Sequence, residues 1–92
     1  MESIGRASVN PQSQAGIVKA CVLIRVRPGQ HYGVADRVVS IQGVKAAFAV
    51  MGGADVVARI EVHDMNALVT VGTEIGDLDD VVTTETLVAA EV

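Results

Sequence analysis

The sequence predicts a single α+β domain whose elements follow the order βαββαβ. Three features predict it: apolar runs that alternate with a period of two, two segments whose apolar residues recur with a helical period, and turn residues between them. The chain has 92 residues, of which 50 % are hydrophobic, so it has material for one core. We expect residues 17–92 to form the domain and residues 1–16 to be a flexible N-terminal arm.

The first strand is predicted over residues 17–26, where most residues are apolar and many are β-branched. Its even-numbered positions are all apolar and its odd-numbered positions include basic residues, so one face should meet a core and the other something half polar. After Pro28-Gly29 comes a helical stripe formed by Val34, Ala35, Val38 and Ile41. Gln42-Gly43 should end that helix, because glycine accepts the left-handed backbone of a C-terminal cap.

The second half of the chain repeats the strand–helix–strand order of the first half, and a hairpin joins the two halves. Strands are predicted over residues 44–50 and 56–62, and Asp64 offers an N-terminal cap to a second helix. The apolar stripe of that helix is formed by Met65, Leu68, Val71 and Ile75. A fourth strand over residues 81–88 completes a ferredoxin-like fold, in which two right-handed crossovers place both helices on one face of a four-stranded antiparallel sheet.

The sheet face turned away from the helices, the open sheet face, suits a subunit interface. Apolar residues stand among basic ones on it, and this mixture is too apolar for a solvated face and too charged for a core. We therefore expect a homodimer made by packing two open sheet faces. The residues predicted for this interface are Cys21, Leu23, Arg25, Ala47, Ala49, Val57 and Arg59.

Composition argues against several classes of function. The formal net charge is −4 and the seven Lys and Arg are spread thinly, whereas nucleic acid needs clustered positive charge. No segment approaches the roughly 20 apolar residues that cross a bilayer, and the N-terminus has no secretory signal pattern. We expect a cytoplasmic protein that contacts neither nucleic acid nor membrane.

No pattern in the sequence matches a catalytic or metal-binding motif. The candidates for an enzyme are His31, Tyr32 and His63, and none stands at the spacing of a nucleophile and its base. The acidic segment 77–80 lacks the glycine-punctuated spacing of a calcium loop. We therefore expect no catalytic residue, no metal and no cofactor.

The segment Met51-Gly52-Gly53-Ala54-Asp55, here called the glycine turn, invites two interpretations. No side chains cover the amides of Gly52 and Gly53, so a ligand carboxylate could approach them while Asp55 holds an ammonium group. Alternatively the segment is a plain hairpin, in which the glycines supply positive φ values and Asp55 satisfies turn amides. Residue chemistry alone favours the plain hairpin.

Two segments together resemble a known family. Residues 41–58, which include the glycine turn, and the later strand segment Thr84-Glu85-Thr86-Leu87-Val88 are similar to the ligand-binding domain of the Lrp/AsnC family. This domain is also called the regulation of amino acid metabolism (RAM) domain, and the resemblance runs from about residue 18 to residue 88. Full-length members carry a helix-turn-helix domain before it, so the sequence resembles the stand-alone form.

The resemblance implies an amino-acid sensor that is not an enzyme. Family domains form dimers through their sheets and rings of dimers, and they bind amino acids between dimers. This implies a ring of eight or ten subunits and association with full-length Lrp/AsnC regulators. The ligand-binding residues it implies are Met51, Gly52, Gly53, Ala54, Asp55, Thr84 and Thr86. The family usually has threonine at the position of Met51 and often a large residue at that of Ala54, so affinity or ligand identity should differ here.

Three alternatives stay open on the sequence alone. An ACT-like regulatory domain shares the strand order and binds amino acids between subunits, although it usually controls an attached enzyme. A small dimeric α+β-barrel enzyme would need His31, Tyr32 or His63 inside a cavity between the helices and the open sheet face. A purely structural assembly module would bind no ligand.

Overall fold

A computed structural model describes residues 17–90, and its elements follow the predicted order. They are β1 (Val18–Val26), α1 (His31–Val39), β2 (Val44–Ala49), β3 (Val56–Val62), α2 (Met65–Gly76) and β4 (Val81–Val88). The strands form one antiparallel sheet in the order β2-β3-β1-β4. The predicted ferredoxin-like fold is confirmed. The predicted arm, residues 1–16, lies outside the described residues.

The core lies between the two helices and one face of the sheet. Alternate residues of β1 and β3 are buried there, as the period of two predicts. The helices cover these residues with the apolar stripes read from the sequence. The core consists of Ala20, Val22, Ile24, Val26, Val34, Ala35, Val38, Val56, Ala58, Ile60, Leu68, Val71 and Ile75.

The helix ends follow local chemistry, with one difference from prediction. Asp64 caps α2 as predicted, because its carboxylate accepts a hydrogen bond from the Ala67 N–H at 2.8 Å. By contrast α1 ends at Val39, earlier than predicted, and Ile41 packs against the core from the turn that follows. Gly43 has a φ of +99°, and a Cβ there would lie 3.0 Å from a β3 side chain. Backbone conformation and packing therefore both require glycine at this position.

The predicted placement of Ala47 and Ala49 on the open sheet face is wrong. A β-bulge at the start of β2 shifts its register, so that Ala47 pairs with Ala58 and Ala49 with Val56. Directly paired residues of antiparallel strands project on the same side of the sheet, and both partners belong to the core. The two alanines therefore face the helices. Phe48 projects from the open sheet face instead, with 52 % of its surface exposed.

The other predicted interface residues do lie together on the open sheet face. Cys21 pairs with Arg59 and Leu23 pairs with Val57, so the central strands β1 and β3 present one continuous surface. Arg25 lies on the same side of β1. The dimer itself stays a prediction. The residue of β2 that we now expect at its interface is Phe48, in place of Ala47 and Ala49.

Candidate ligand-binding site

The glycine turn closes the β2–β3 hairpin and leaves its apex open. The Val50 N–H donates to the Asp55 carbonyl at 2.9 Å, which fixes the base of the turn. Gly52 has a φ of +124°, a conformation that L side chains rarely adopt. Among residues 17–90, no heavy atom outside the immediate chain neighbours lies within 4 Å of the point where a Cβ would stand on Gly52 or Gly53. The backbone of both glycines is therefore open to an approaching ligand.

Gly53 is the residue that a plain hairpin does not explain. Among the described glycines, positive φ values occur at Gly29, Gly43 and Gly52, and Gly53 is not one of them. A side chain at Gly53 would also meet no neighbour. Neither backbone conformation nor packing within the subunit thus requires glycine there, although glycine costs conformational entropy on folding.

Asp55 anchors the turn to the rest of the domain. Its Oδ2 accepts a hydrogen bond from the Val26 N–H at 2.9 Å, and its own N–H donates to the Ile24 carbonyl at 2.9 Å. Its Oδ1 lies 3.3 Å from His31 Nε2, at the first residue of α1. The Val26 N–H holds the pKa of Asp55 below its usual range, against partial burial, and positive charge on His31 and Arg25 acts in the same direction.

These contacts give the Asp55 carboxylate a structural role. Both oxygens contact groups of the same chain, so the carboxylate positions the turn, and its predicted contact with a ligand ammonium stays a prediction. Ala54 is also turned inward, with 7 % of its surface exposed, whereas Met51 is 99 % exposed. The turn therefore presents the Met51 side chain and the backbone of Gly52 and Gly53 to its surroundings.

Thr84 and Thr86 lie on the helix side of β4. They pair with Ile24 and Val22, both of which are core residues. Because β4 is an edge strand, the two threonines are exposed beside α2 and line a groove of about 360 Å³, here called the α2–β4 groove. The groove is lined by Met65, Leu68, Val69, Gly72, Thr73, Thr84, Thr86 and Val88.

The glycine turn and the threonines do not share a pocket within one subunit. Both lie at the same end of the sheet, because Ile24 pairs with Val56 on one side and with Thr84 on the other. Two strand spacings, about 9.5 Å at the backbone, separate Thr84 from Val56, the residue that follows the turn. Among the described residues, those that line the α2–β4 groove include none of the glycine turn. Each subunit thus presents two separate halves of the predicted site.

Sequence reasoning missed two residues that shape these halves. One is His31, which the sequence marks only as a catalytic candidate; it contacts Asp55, and no local pattern joins residues so far apart in the chain. The other is Gly72 of α2, which borders the α2–β4 groove and where a Cβ would lie 4.0 Å from Thr86 Oγ1.

The enzyme candidates are dispersed. His31 is engaged with Asp55, Tyr32 is exposed, and His63 is exposed at a second groove of about 550 Å³ near the opposite end of the sheet. Residues 17–90 contain no group of three or more His, Cys, Asp and Glu that could hold a metal ion. Within the same range, no helix has the length and apolar character needed to cross a membrane.

Comparison with known proteins identifies similar domains. The Lrp/AsnC ligand binding domain matches residues 19–92. The crystal structure of TTHA0845 from Thermus thermophilus is 32 % identical, with a TM-score of 0.77 over 82 % of this chain and 95 % of that chain. A comparison with curated protein sequences finds no match.

Two transcription regulators share the fold at lower identity. E. coli AsnC is 20 % identical, with a TM-score of 0.77 over 97 % of this chain and 61 % of AsnC. The transcriptional regulator NMB0573 from Neisseria meningitidis, solved as an L-Met complex, is 19 % identical, with a TM-score of 0.73 over 96 % of this chain and 59 % of that chain. In both cases the matched region is a part of a longer chain.

Proposed function

This chain belongs to the family of Lrp/AsnC ligand-binding domains, and we propose that it is a non-enzymatic sensor of amino acids that modulates transcription regulators of that family. A regulatory ligand-binding role follows from the family itself. The proposal adds the class of ligand, which the L-Met complex of the regulator NMB0573 supports by analogy. It also adds the partners, full-length Lrp/AsnC regulators, and a cytoplasmic location.

The observation that carries the proposal is the exposed backbone at Gly53. A glycine at position 53 is explained if a ligand carboxylate must reach the amides of the turn. Any side chain at this position would stand in front of these amides. Each hydrogen bond from an amide to a carboxylate contributes roughly 1.5 to 3 kcal/mol. Asp55 and His31 hold the turn in place before the ligand arrives, which lowers the entropy cost of binding.

We propose that the complete site forms between subunits. The amides of Gly52 and Gly53 from one copy and the hydroxyls of Thr84 and Thr86 from another would then contact one amino acid. Separation of these groups within a single subunit supports this arrangement. Homodimers formed through the open sheet face would assemble into a ring of eight or ten subunits, with effector sites between dimers.

The open sheet face supports the proposed dimer by its composition. Phe48 and Leu87 are both about half exposed, and Leu23 and Val57 lie between them on the central strands. Large apolar side chains grouped on one face of a small domain are typical of an interface. The ion pair between Arg59 Nη1 and Glu61 Oε2, at 2.9 Å, leaves part of the basic charge on this face neutralised.

The test is a thermal-shift screen of the full chain against the proteinogenic amino acids, with native mass spectrometry of each hit. A ligand at 100 times its Kd should stabilise the protein by about 2.7 kcal/mol. Gly53→Val and Thr86→Val should abolish the shift while the dimer persists. Gly76→Val is the matched control, because Gly76 is another glycine of ordinary φ with open space around it, on a different element.

The screen also distinguishes the alternatives. If an assembled chain responds to no amino acid, the sensor proposal fails and the purely structural module is favoured. If amino acids bind but Gly53→Val and Gly76→Val behave alike, the glycine turn is not the binding site.

A further inference from the structure

We infer that His31 is a positioning residue of the glycine turn, and that its charge makes the binding of a ligand carboxylate at the turn depend on pH between about pH 5 and pH 8. The inference rests on the proposed function and deepens it, because it adds the proton as a second signal at the same site. It concerns the contact between α1 and the turn, in which His31 Nε2 lies 3.3 Å from Asp55 Oδ1.

The glycine turn carries a negative charge close to the amides that we propose bind a carboxylate. Asp55 follows Gly53 by two residues, so at most about 7 Å separates their Cα atoms. The Val26 N–H lowers the pKa of Asp55 but brings no net charge, and the carboxylate is therefore ionised at neutral pH. An ionised Asp55 repels a second carboxylate nearby. Binding of a ligand carboxylate thus gains from a positive charge that offsets Asp55.

His31 supplies that charge in a form that depends on pH. Histidine gains or loses its proton between about pH 5 and pH 8. When protonated, His31 places a full positive charge beside the Asp55 carboxylate. Their side chains are only 37 % and 20 % exposed, so solvent screens the two charges incompletely. Protonation therefore offsets the charge of the turn and also holds the turn more firmly against α1.

The neighbouring cation of β1 acts on Asp55 in the same direction but does not respond to pH. Arg25 also favours the ionised form of Asp55. A guanidinium group keeps its charge at every pH from 5 to 8, however. Arg25 therefore contributes a constant attraction, and His31 contributes the part that changes.

The other charged groups at this end of the domain also keep a constant charge. Asp80 Oδ1 lies 3.8 Å from Arg27 Nε, and Asp80 Oδ2 lies 3.3 Å from Arg37 Nη2 of α1. Carboxylates and guanidinium groups both stay ionised in this pH range. Tyr32, next to His31 on α1, is exposed, and a phenol is neutral here. Of these described groups, His31 is therefore the one that changes its charge.

A purely structural contact is the competing interpretation. His31 would then join α1 to the turn and stabilise the fold, while its charge would have no effect on a ligand. The chain allows a matched comparison, because it has only two histidines. The other, His63, is exposed and follows the end of β3 that lies away from the turn.

The first test needs no ligand. Backbone amide NMR of the full chain from pH 5 to pH 8 follows the amides of Gly52 and Gly53 together with the histidine rings. We expect both amides to shift in one transition that coincides with protonation of His31. His31→Gln keeps a nitrogen donor for Asp55 but cannot titrate, so the transition should disappear. His63→Gln is the matched control and should retain it.

The second test measures affinity by calorimetric titration at pH 6 and pH 8. The probes are the proteinogenic amino acids whose side chains do not titrate in this range. We expect each one that binds to bind roughly threefold to tenfold more tightly at pH 6 than at pH 8. The wild type and His63→Gln should show this difference, whereas His31→Gln should bind equally at both pH values.

Several results would overturn the inference and leave the sensor proposal intact. They are turn amides that do not follow the protonation of His31, equal wild-type affinities at both pH values, and an unchanged pH response in His31→Gln. Tighter binding at pH 8 would also overturn it, and would favour a contact between Asp55 and the ligand ammonium. If no amino acid binds at either pH, the proposed function fails and the inference fails with it.

Discussion

The Asp55 carboxylate accepts a hydrogen bond from the Val26 N–H at 2.9 Å, joining residues 29 positions apart. Through this bond the glycine turn is fastened to the end of the central strand β1, and through His31 it is fastened to α1. The base of the turn that presents the glycine amides is therefore held by two neighbouring elements.

Replacing Asp55 should lower the stability of the domain and weaken the binding of any ligand at the turn. Asp55→Ala removes the acceptor of the partly buried Val26 N–H and frees the turn, so the melting temperature should fall. Asp55→Asn keeps one acceptor oxygen and should fall less. Thermal unfolding at a fixed protein concentration measures this order, and equal melting temperatures for all three proteins would contradict the anchoring role.

The same carboxylate should make stability depend on acid pH. Because its pKa is lower in the folded state, Asp55 stabilises the fold above the unfolded-state pKa of about 3.9. That contribution is lost as the pH falls further through the folded pKa. Urea unfolding of the wild type and of Asp55→Asn from neutral to strongly acid pH measures it. The difference in unfolding free energy between the two proteins should shrink below about pH 3.9, and a constant difference would contradict this assignment.

Gly43→Ala should destabilise the domain by roughly 1 to 3 kcal/mol, because positive φ and crowding act together. The new Cβ would lie 3.0 Å from Val62 Cγ1 and 3.1 Å from Val71 Cγ2. Gly76→Ala is the control and should be neutral or stabilising by up to about 1 kcal/mol. Urea denaturation at one protein concentration compares them, and a neutral Gly43→Ala would show that the turn relaxes freely.

Substitution by glutamate should have different effects at Phe48 and at Ala47. Phe48→Glu places a charge on the open sheet face and should dissociate the proposed dimer into folded monomers. Ala47→Glu buries the same charge beside the core and should unfold the chain instead. Sedimentation and circular dichroism distinguish the two results. If Phe48→Glu retains the dimer, the open sheet face is not the interface.

The elements and the core could be predicted from the sequence because their signals are local. The even-numbered positions of β1 and the capping carboxylate of Asp64 carry their information within a few residues. The end of α1 differs from the prediction because Ile41 continues the apolar stripe from a turn and still reaches the core. The position of an apolar residue on a core-facing stripe does not by itself prove that the backbone there is helical.

The face presented by β2 could not be predicted, because its segment Ala46-Ala47-Phe48-Ala49 has no polar residue to mark the solvent side. A single bulge then reverses which residues face the core. The contacts of Asp55 were equally hidden, since they depend on elements distant in the chain. The glycines of the proposed site were visible in the sequence, but only their φ values and surroundings separate Gly43, which the fold requires, from Gly53 and Gly72, which it does not.

The central claim is that the exposed amides at Gly53 take part in binding an amino acid. Calorimetric titration of the full chain with the proteinogenic amino acids, repeated on Gly53→Val and on the Gly76→Val control, tests it most directly. We predict saturable binding of at least one amino acid to the wild type and to Gly76→Val, and none to Gly53→Val. Equal binding by all three proteins, or no binding by an intact wild-type assembly, would contradict it.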